Sequence, residues 1–175
     1  AEKLKPEIKD EFRLKFGIEI YEGYGATETA PVAAVNMPNI LEKESLKELT
    51  FNRPGSVGMP LPGTIIKIID PETLEELETG TDGLIVIGGS QVMKGYLNDE
   101  AKTSDVITHI DGVRYYKTGD KGHIDENGFV FIVDRYSRFA KIGGEMISLG
   151  SVEEELTKVL GGDVVFSSAN VPDSK

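Results

Sequence analysis

Cysteine is absent from the 175 residues, so disulfides and thiolate metal sites are excluded. That absence fits a reducing cytoplasm. No apolar run approaches the roughly 20 residues that a membrane-spanning helix needs. The first residues, Ala1-Glu2-Lys3-Leu4-Lys5, lack the apolar core of a signal peptide. They read as part of a helix begun upstream, and Val171 to Lys175 stop just after a strand-like run; both ends are expected to be cut ends. Positive charge is scarce. The net charge of -11 gives a surface that repels a phosphate backbone, which argues against nucleic acid as a partner. A single nucleotide still fits, because a pocket can be locally positive.

Other signatures are missing too. His109 and His123 are isolated, without metal-ligand spacing or a neighbouring nucleophile, and are read as surface or edge-strand residues. Asp125-Glu126-Asn127-Gly128 lacks the remaining ligands of a calcium loop and is read as a turn. Glycines 80, 83, 88, 89 and 95 form no Gly-x-Gly-x-x-Gly opening a helix, so dinucleotide binding is not indicated.

What is present is mostly β-forming and glycine-rich. Leu4, Ile8, Phe12 and Phe16 recur every four residues, predicting an amphipathic helix stopped by Gly17. Ile18 to Tyr21 and Val32 to Val35 read as strands, and Glu42 to Leu49 as a short helix. From residue 60 to 133 the pattern predicts a twisted, mostly antiparallel β unit. Its strands are Thr64 to Ile69, Gly83 to Gly88, one holding Tyr115-Tyr116, and a hairpin of Gly122 to Ile124 with Phe129 to Val133. Texture changes near residues 134 to 137. Ser151 and Glu154 predict a capping box for a helix that ends at Gly161-Gly162, and Val164 to Phe166 reads as a strand.

Three stretches carry candidate chemistry. In Tyr24-Gly25-Ala26-Thr27-Glu28-Thr29, an aromatic ring suits base stacking and the glycines allow close approach. A hydroxyl there suits a phosphate oxygen, and a carboxylate suits Mg²⁺. A tight turn with Thr27 or Thr29 as a helix cap explains the same residues. Asp120, in Tyr116-Lys117-Thr118-Gly119-Asp120, suits two ribose hydroxyls or an Asx-turn. Arg135, Arg138 and Lys141 beside Gly143-Gly144 suit phosphate, against the alternative of a solvated basic linker.

Order and spacing say more than any one stretch. The series runs through Tyr24 to Glu28, Pro54-Gly55-Ser56-Val57-Gly58, and Gly83-Leu84-Ile85-Val86 with Val92-Met93-Lys94-Gly95-Tyr96. It continues with Thr118-Gly119-Asp120, Asp134-Arg135 and Lys141 to Glu145. This resembles the second half of the adenylate-forming superfamily of acyl-CoA synthetases, adenylation domains and luciferases. The resemblance implies an α/β fragment: a β-rich distal part of the AMP-binding domain over residues 1–134, then the hinge and truncated start of a C-terminal domain over 135–175. It implies that Tyr24 and Gly25 border adenine, that Thr27 meets the α-phosphate and that Glu28 holds Mg²⁺. Asp120 and Arg135 would bind ribose, and Lys141 would serve the second half-reaction. Ser137 stands at the hinge position, where the family usually has Asp or Lys, so a charged hinge side chain is not expected.

A finer likeness, in Thr27 to Val32 with Val35 to Pro38 and in Ser137 to Leu149, is to acyl–acyl carrier protein synthetases. Some of these are fused to a lysophospholipid acyltransferase of the 2-acylglycerophosphoethanolamine type. The implied partners are ATP or AMP, Mg²⁺, a fatty acid, the phosphopantetheine thiol of acyl carrier protein or CoA, a phospholipid through a fused domain, and the rest of the same chain. The implied location is cytoplasmic, with any inner-membrane association made through segments outside these residues. A long-chain fatty acid–CoA ligase and a β-rich interaction module without a nucleotide site remain the alternatives. The 175 residues contain no Ser/Thr/Gly-rich loop with a lysine for the β,γ-phosphates and no identifiable C-terminal catalytic lysine. The chain alone is therefore expected not to adenylate acids. The ligase reading requires Tyr24 and Asp120 to share one cleft.

Overall fold

Pro6 sets a helical φ and lacks the N–H that a first turn leaves unpaired, so helix α1 begins there and spans Pro6–Phe16. Gly17 ends it in the left-handed region at φ 67, returning its N–H to the Arg13 carbonyl. In this computed structural model, which describes residues 4–142, 145–160 and 167–169, the apolar stripe of α1 stays uncovered. Ile8 and Phe16 are more than half exposed. The expected strand at Ile18–Tyr21 does not form. Strand β1 is Gly23–Gly25, inside the expected loop, because its partner β2 (Val32–Val35) reaches back only to Gly23.

The short helix expected at Glu42–Leu49 is instead a hairpin of β3 (Ile40–Leu41) and β4 (Glu48–Leu49). Glu42 and Lys47 close it through a backbone hydrogen bond, and Leu46 turns at φ 55, which no helix accommodates. Strand β5 (Met59–Pro60) joins β2, giving a three-stranded sheet in the order β1-β2-β5.

The antiparallel unit expected over residues 60 to 133 is present. Strand β6 (Thr64–Ile69) pairs with β7 (Gly83–Gly89). Helix α2 (Glu100–Val106), which sequence reading did not anticipate, is capped by the Asp99 side chain accepting from Lys102 N–H. Strands β8 (Ile107–Ile110) and β9 (Val113–Ile124) form a hairpin whose turn residues, Asp111 and Gly112, both have positive φ. Strand β10 (Val130–Arg135) follows the Asp125–Gly128 turn. The sheet order is β10-β9-β7-β6, with β8 also on β9.

Strand β7 is buried on both faces, which is why it reads as a continuous apolar run. Ile85 and Ile87 pack with Ile66, Ile68, Val130, Ala33 and Ala34, joining the two sheets. Leu84 and Val86 pack with Ile69 and Tyr115 on the other side. Each fully buried isoleucine contributes roughly 1.5–3 kcal/mol of transfer free energy. Val57 and Gly58 exchange backbone hydrogen bonds with Val130, both 2.9 Å, so the small sheet is stitched to β10.

After β10 come β11 (Phe139–Ile142), β12 (Glu145–Ser148) and helix α3 (Leu149–Leu160). The expected cap at Ser151 is corrected. The helix starts earlier, and Ser148 Oγ accepts from Ser151 N–H at 3.1 Å, so Ser148 is the cap. The Glu154 side chain, Gly143-Gly144, the Gly161-Gly162 stop and the strand expected at Val164 to Phe166 lie outside the described residues. Among the described residues no helix is long and apolar enough to cross a membrane.

Candidate functional site

Asp120 owes its position to a bulge. Leu84 pairs with Lys121 and Val86 with Lys117, so β9 spends four residues where β7 spends two. Thr118-Gly119-Asp120 therefore stand opposite Ile85 alone. Gly119 takes φ 77, which glycine adopts without strain. The Thr118 hydroxyl closes the bulge, donating to the Ile85 carbonyl at 2.9 Å and accepting from Asp120 N–H at 3.0 Å. Across the β9–β10 ladder Arg135 stands opposite Asp120, and its Nε lies 3.1 Å from Oδ1. Tyr24, 96 residues earlier, donates its hydroxyl to Asp120 Oδ2 at 2.6 Å. The two stretches that the ligase reading requires together are therefore in contact.

Burial, then the Asp120 carboxylate, pushes the Tyr24 hydroxyl far above its ordinary pKa, so it stays a donor. Asp120 is nearly buried, whereas the Arg135 side chain is 64% exposed. An aromatic ring, a shielded carboxylate and an exposed cation at one edge suit a ligand with a flat base and neighbouring hydroxyls.

Glu28 rides on a single 3-10 turn, Thr27–Thr29. Thr29 is buried and locks the turn, accepting from Ala26 N–H at 3.1 Å and donating to the Ala26 carbonyl at 3.0 Å. The turn reading of this stretch is met, with Thr29 as the structural cap; Thr27 is exposed and Glu28 half-buried. The Glu28 carbonyl accepts from Met93 N–H at 2.8 Å, and its Oε1 accepts from the Tyr96 hydroxyl at 2.6 Å. The bond from Tyr96 holds the Glu28 carboxyl below its ordinary range, against the opposing effect of burial. The same bond pushes the Tyr96 hydroxyl up to about 12. Tyr116 lies between the halves. Burial raises its hydroxyl, and the negative charges of Glu28 and Asp120 raise it further.

Tyr24, Glu28, Asp120 and Arg135 are thus brought into one neighbourhood. Gly25 has a reason of its own: a Cβ there would lie 1.7 Å from the Pro31 carbonyl oxygen, so the chain's own backbone demands glycine. Thr27 is exposed on the turn. Lys141 is exposed on β11, with no hydrogen bond or ion pair to the others. The basic stretch is divided: Arg135 faces Asp120, while Arg138 pairs with Glu153 at 2.5 Å. Sequence reasoning gave no role to Tyr96 or Tyr116, whose carboxylate partner lies far away in the chain.

The Asp125 turn is present, and His109 is exposed on β8 as expected, but His123 is part-buried on β9, a strand paired on both sides and not an edge. His123 Nδ1 lies 2.8 Å from Asp82 Oδ1 and its ring stacks on Phe131. Asp125 accepts from Asn127 and Phe129 N–H and pairs with Arg53. Among the described residues no group of three or more metal-ligating side chains could form a cage. Glu28 is a lone carboxylate kept ionised, which fits Mg²⁺ arriving with its own phosphates and waters.

The sequence profile of AMP-binding enzymes matches residues 1–97. The chain is 42% identical to a probable 4-coumarate–CoA ligase 2 of Dictyostelium discoideum, over 83% of the chain and 24% of that protein. It is 39% identical to the long-chain-fatty-acid–CoA ligase of Bacillus subtilis (strain 168), over 98% of the chain and 28% of that protein. Among solved structures, ATP-bound MatB from Rhodopseudomonas palustris superposes with a TM-score of 0.70 at 32% identity, over 86% of the chain and 27% of that protein. The chain thus spans about a quarter of the length of these relatives.

Proposed function

The chain belongs to the AMP-binding enzyme family, and from that premise we propose that it forms the adenosine-binding part of an ATP-dependent acid–thiol ligase whose substrate is a fatty acid. One observation carries the reading: the Tyr24 hydroxyl meets Asp120 at 2.6 Å with Arg135 on the opposite carboxylate oxygen. In this reading the Tyr24 ring packs on adenine, and Asp120 with Arg135 takes the ribose hydroxyls. Thr27 donates to the α-phosphate. Glu28 holds Mg²⁺, which supplies charge neutralisation at the phosphates.

A carboxylate is a poor acyl donor at neutral pH. Its oxygen attacks the α-phosphorus of ATP, a new P–O bond forms, and pyrophosphate leaves with the electron pair of the broken bond. The resulting acyl-AMP has a good leaving group. A thiol then attacks the acyl carbon and AMP departs, with Lys141 serving this second step. Residues 1–134 and 135–175 fall in two domains that turn about the hinge at Ser137 between the steps.

The acceptor is a phosphopantetheine thiol, with acyl carrier protein favoured by the sequence of residues 27–38 and 137–149. CoA is the second reading, favoured by the named CoA ligases that the chain resembles. The test is pyrophosphate release by the full-length polypeptide with a panel of fatty acids, then product formation with CoA and with carrier protein. Release at least tenfold above a Glu28→Ala control is expected. Asp120→Ala should weaken AMP binding about tenfold or more in calorimetry, since hydrogen bonds to a charged group are worth about 1.5–3 kcal/mol. Equal pyrophosphate rates, or unchanged AMP affinity, would overturn the reading.

A further inference from the structure

The segment Met93 to Tyr96 belongs to a motif to which no role has been given, yet it is fastened with unusual care. The Arg114 guanidinium donates to the carbonyls of Met93, at 2.5 Å, and of Lys94. Thr103 on α2 accepts from Tyr96 N–H at 2.9 Å and donates to the Asp99 carbonyl at 2.8 Å. Gly95 passes so close to Thr103 that a Cβ would lie 2.8 Å from its Oγ1. Lys102, on the same helix, places its ammonium 4.1 Å from the centre of the Tyr96 ring. Helix α2, its cap and Arg114 together fix the Tyr96 backbone and ring. Among the described residues, the hydrogen-bond partner of this fixed side chain is Glu28, 68 residues away, with the hydroxyl 2.6 Å from Oε1. A second tie, Met93 N–H to the Glu28 carbonyl at 2.8 Å, fixes the backbone of the same residue.

We propose that Tyr96 is a positioning residue that holds the Glu28 carboxylate in the orientation from which it meets the magnesium ion of bound ATP. This rests on the assignment of Glu28 above. A carboxylate on a free side chain samples several rotamers, and each lost rotamer is an entropic cost at the moment the metal arrives. A hydroxyl donor that is itself immobilised removes that cost in advance. Outer-shell partners of this kind typically change metal affinity or activity 10–100-fold.

The experiment titrates Mg²⁺ against ATP binding by calorimetry in the full-length protein, for wild type, Tyr96→Phe, Glu28→Ala and the double variant. Tyr96→Phe keeps the ring, its contact with Lys102 and the backbone ties, and removes only the hydroxyl. The Mg²⁺ concentration for half-maximal enhancement of ATP binding should rise about tenfold in Tyr96→Phe, with metal-free ATP binding unchanged. In the Glu28→Ala background the same change should have no further effect, because Tyr96 acts through Glu28. A purely structural Tyr96 would weaken metal-free binding too, and would add its effect to Glu28→Ala; either result overturns the proposal. An unchanged Mg²⁺ requirement in Tyr96→Phe, where Glu28→Ala does raise it, overturns the positioning role alone. If Glu28→Ala leaves the Mg²⁺ requirement unchanged, the assignment of Glu28 falls and the proposal with it. Thermal melts of each variant identify any that is unfolded. In that event Tyr96→His, which keeps a ring donor, must restore part of the Mg²⁺ response or the proposal fails.

Discussion

Glu153 accepts from Ser168 N–H at 2.7 Å and from the Arg138 guanidinium at 2.5 Å. These donors, the backbone one first, hold its carboxyl at about 2 against an ordinary 4.5. A depressed folded-state pKa means that the charged form is favoured by folding. The contribution is therefore complete above pH 4.5 and fades as pH falls toward 2. Glu153→Gln should lower the melting temperature by a few degrees at pH 7, and the gap should narrow through that acid window. Melts at a series of pH values check it, and a gap of constant size would reject the ionic explanation. Site residues differ in how they could be read beforehand. Tyr24, Glu28, Asp120 and Arg135 were legible because an ordered series of short motifs contains them. Composition alone left each open to a plain turn or cap, and Thr29 bears out the plain reading for its own turn. Tyr96 was not legible, because a hydroxyl–carboxylate pair separated by 68 residues leaves no local pattern.

Among the elements, β1 and β2 are where the site is most sensitive to backbone shape. The ladder slips between Tyr24 and Gly25, and this bulge aims the Tyr24 hydroxyl at Asp120. Gly25→Ala would drive a Cβ to 1.7 Å from the Pro31 oxygen, a backbone atom with nowhere to go. The strand must shift, at a cost of about 1–3 kcal/mol or more. Unfolding in denaturant should show that loss, and AMP binding should weaken with it as Tyr24 moves. Gly23→Ala is the contrasting variant, since its Cβ would find ordinary contacts no closer than 3.4 Å. Strands β6, β7 and β10 were readable because their apolar runs are bounded by Pro-Gly, Asp-Pro, Asp-Gly and Asn-Gly turns, whereas β9, one strand over Val113–Ile124, read as two pieces because the polar Lys117 to Lys121 stretch interrupts it. Elsewhere tertiary pairing overrode local pattern. Ile18 to Tyr21 has strand composition but the β2 ladder reaches only Gly23, and Glu42 to Leu49 has helix composition but closes as a hairpin around Leu46. Helix α2 went unread because, with no buried residue, it has no apolar stripe to announce it.

At the level of the whole molecule, the Asp134 carboxylate is one of several ties across the division expected near residue 134, beside Tyr136 packed on the Ile69, Leu84, Val86 and Tyr115 cluster and Lys121 over the Phe139 ring. Asp134 is the next-to-last residue of β10, and its Oδ2 accepts from Ser148 Oγ at 2.5 Å and from Gly150 N–H at 3.0 Å. It thereby holds both the cap and the first turn of α3. Arg138 and Glu153 form a second tie, but on the far side of the proposed hinge, so it fastens α3 only to its own part. In the proposed two-part reading, Asp134 is one fastening between the sheet and α3. Asp134→Ala should then speed amide exchange in α3 by about tenfold or more, matching the loss of hydrogen bonds to a charged group. Amides of β7, buried on both faces, should keep their wild-type rates. Hydrogen exchange read by mass spectrometry resolves the two regions. Equal acceleration in β7 and α3 would mean that both parts open as one cooperative unit, and the hinge between them would have to be abandoned.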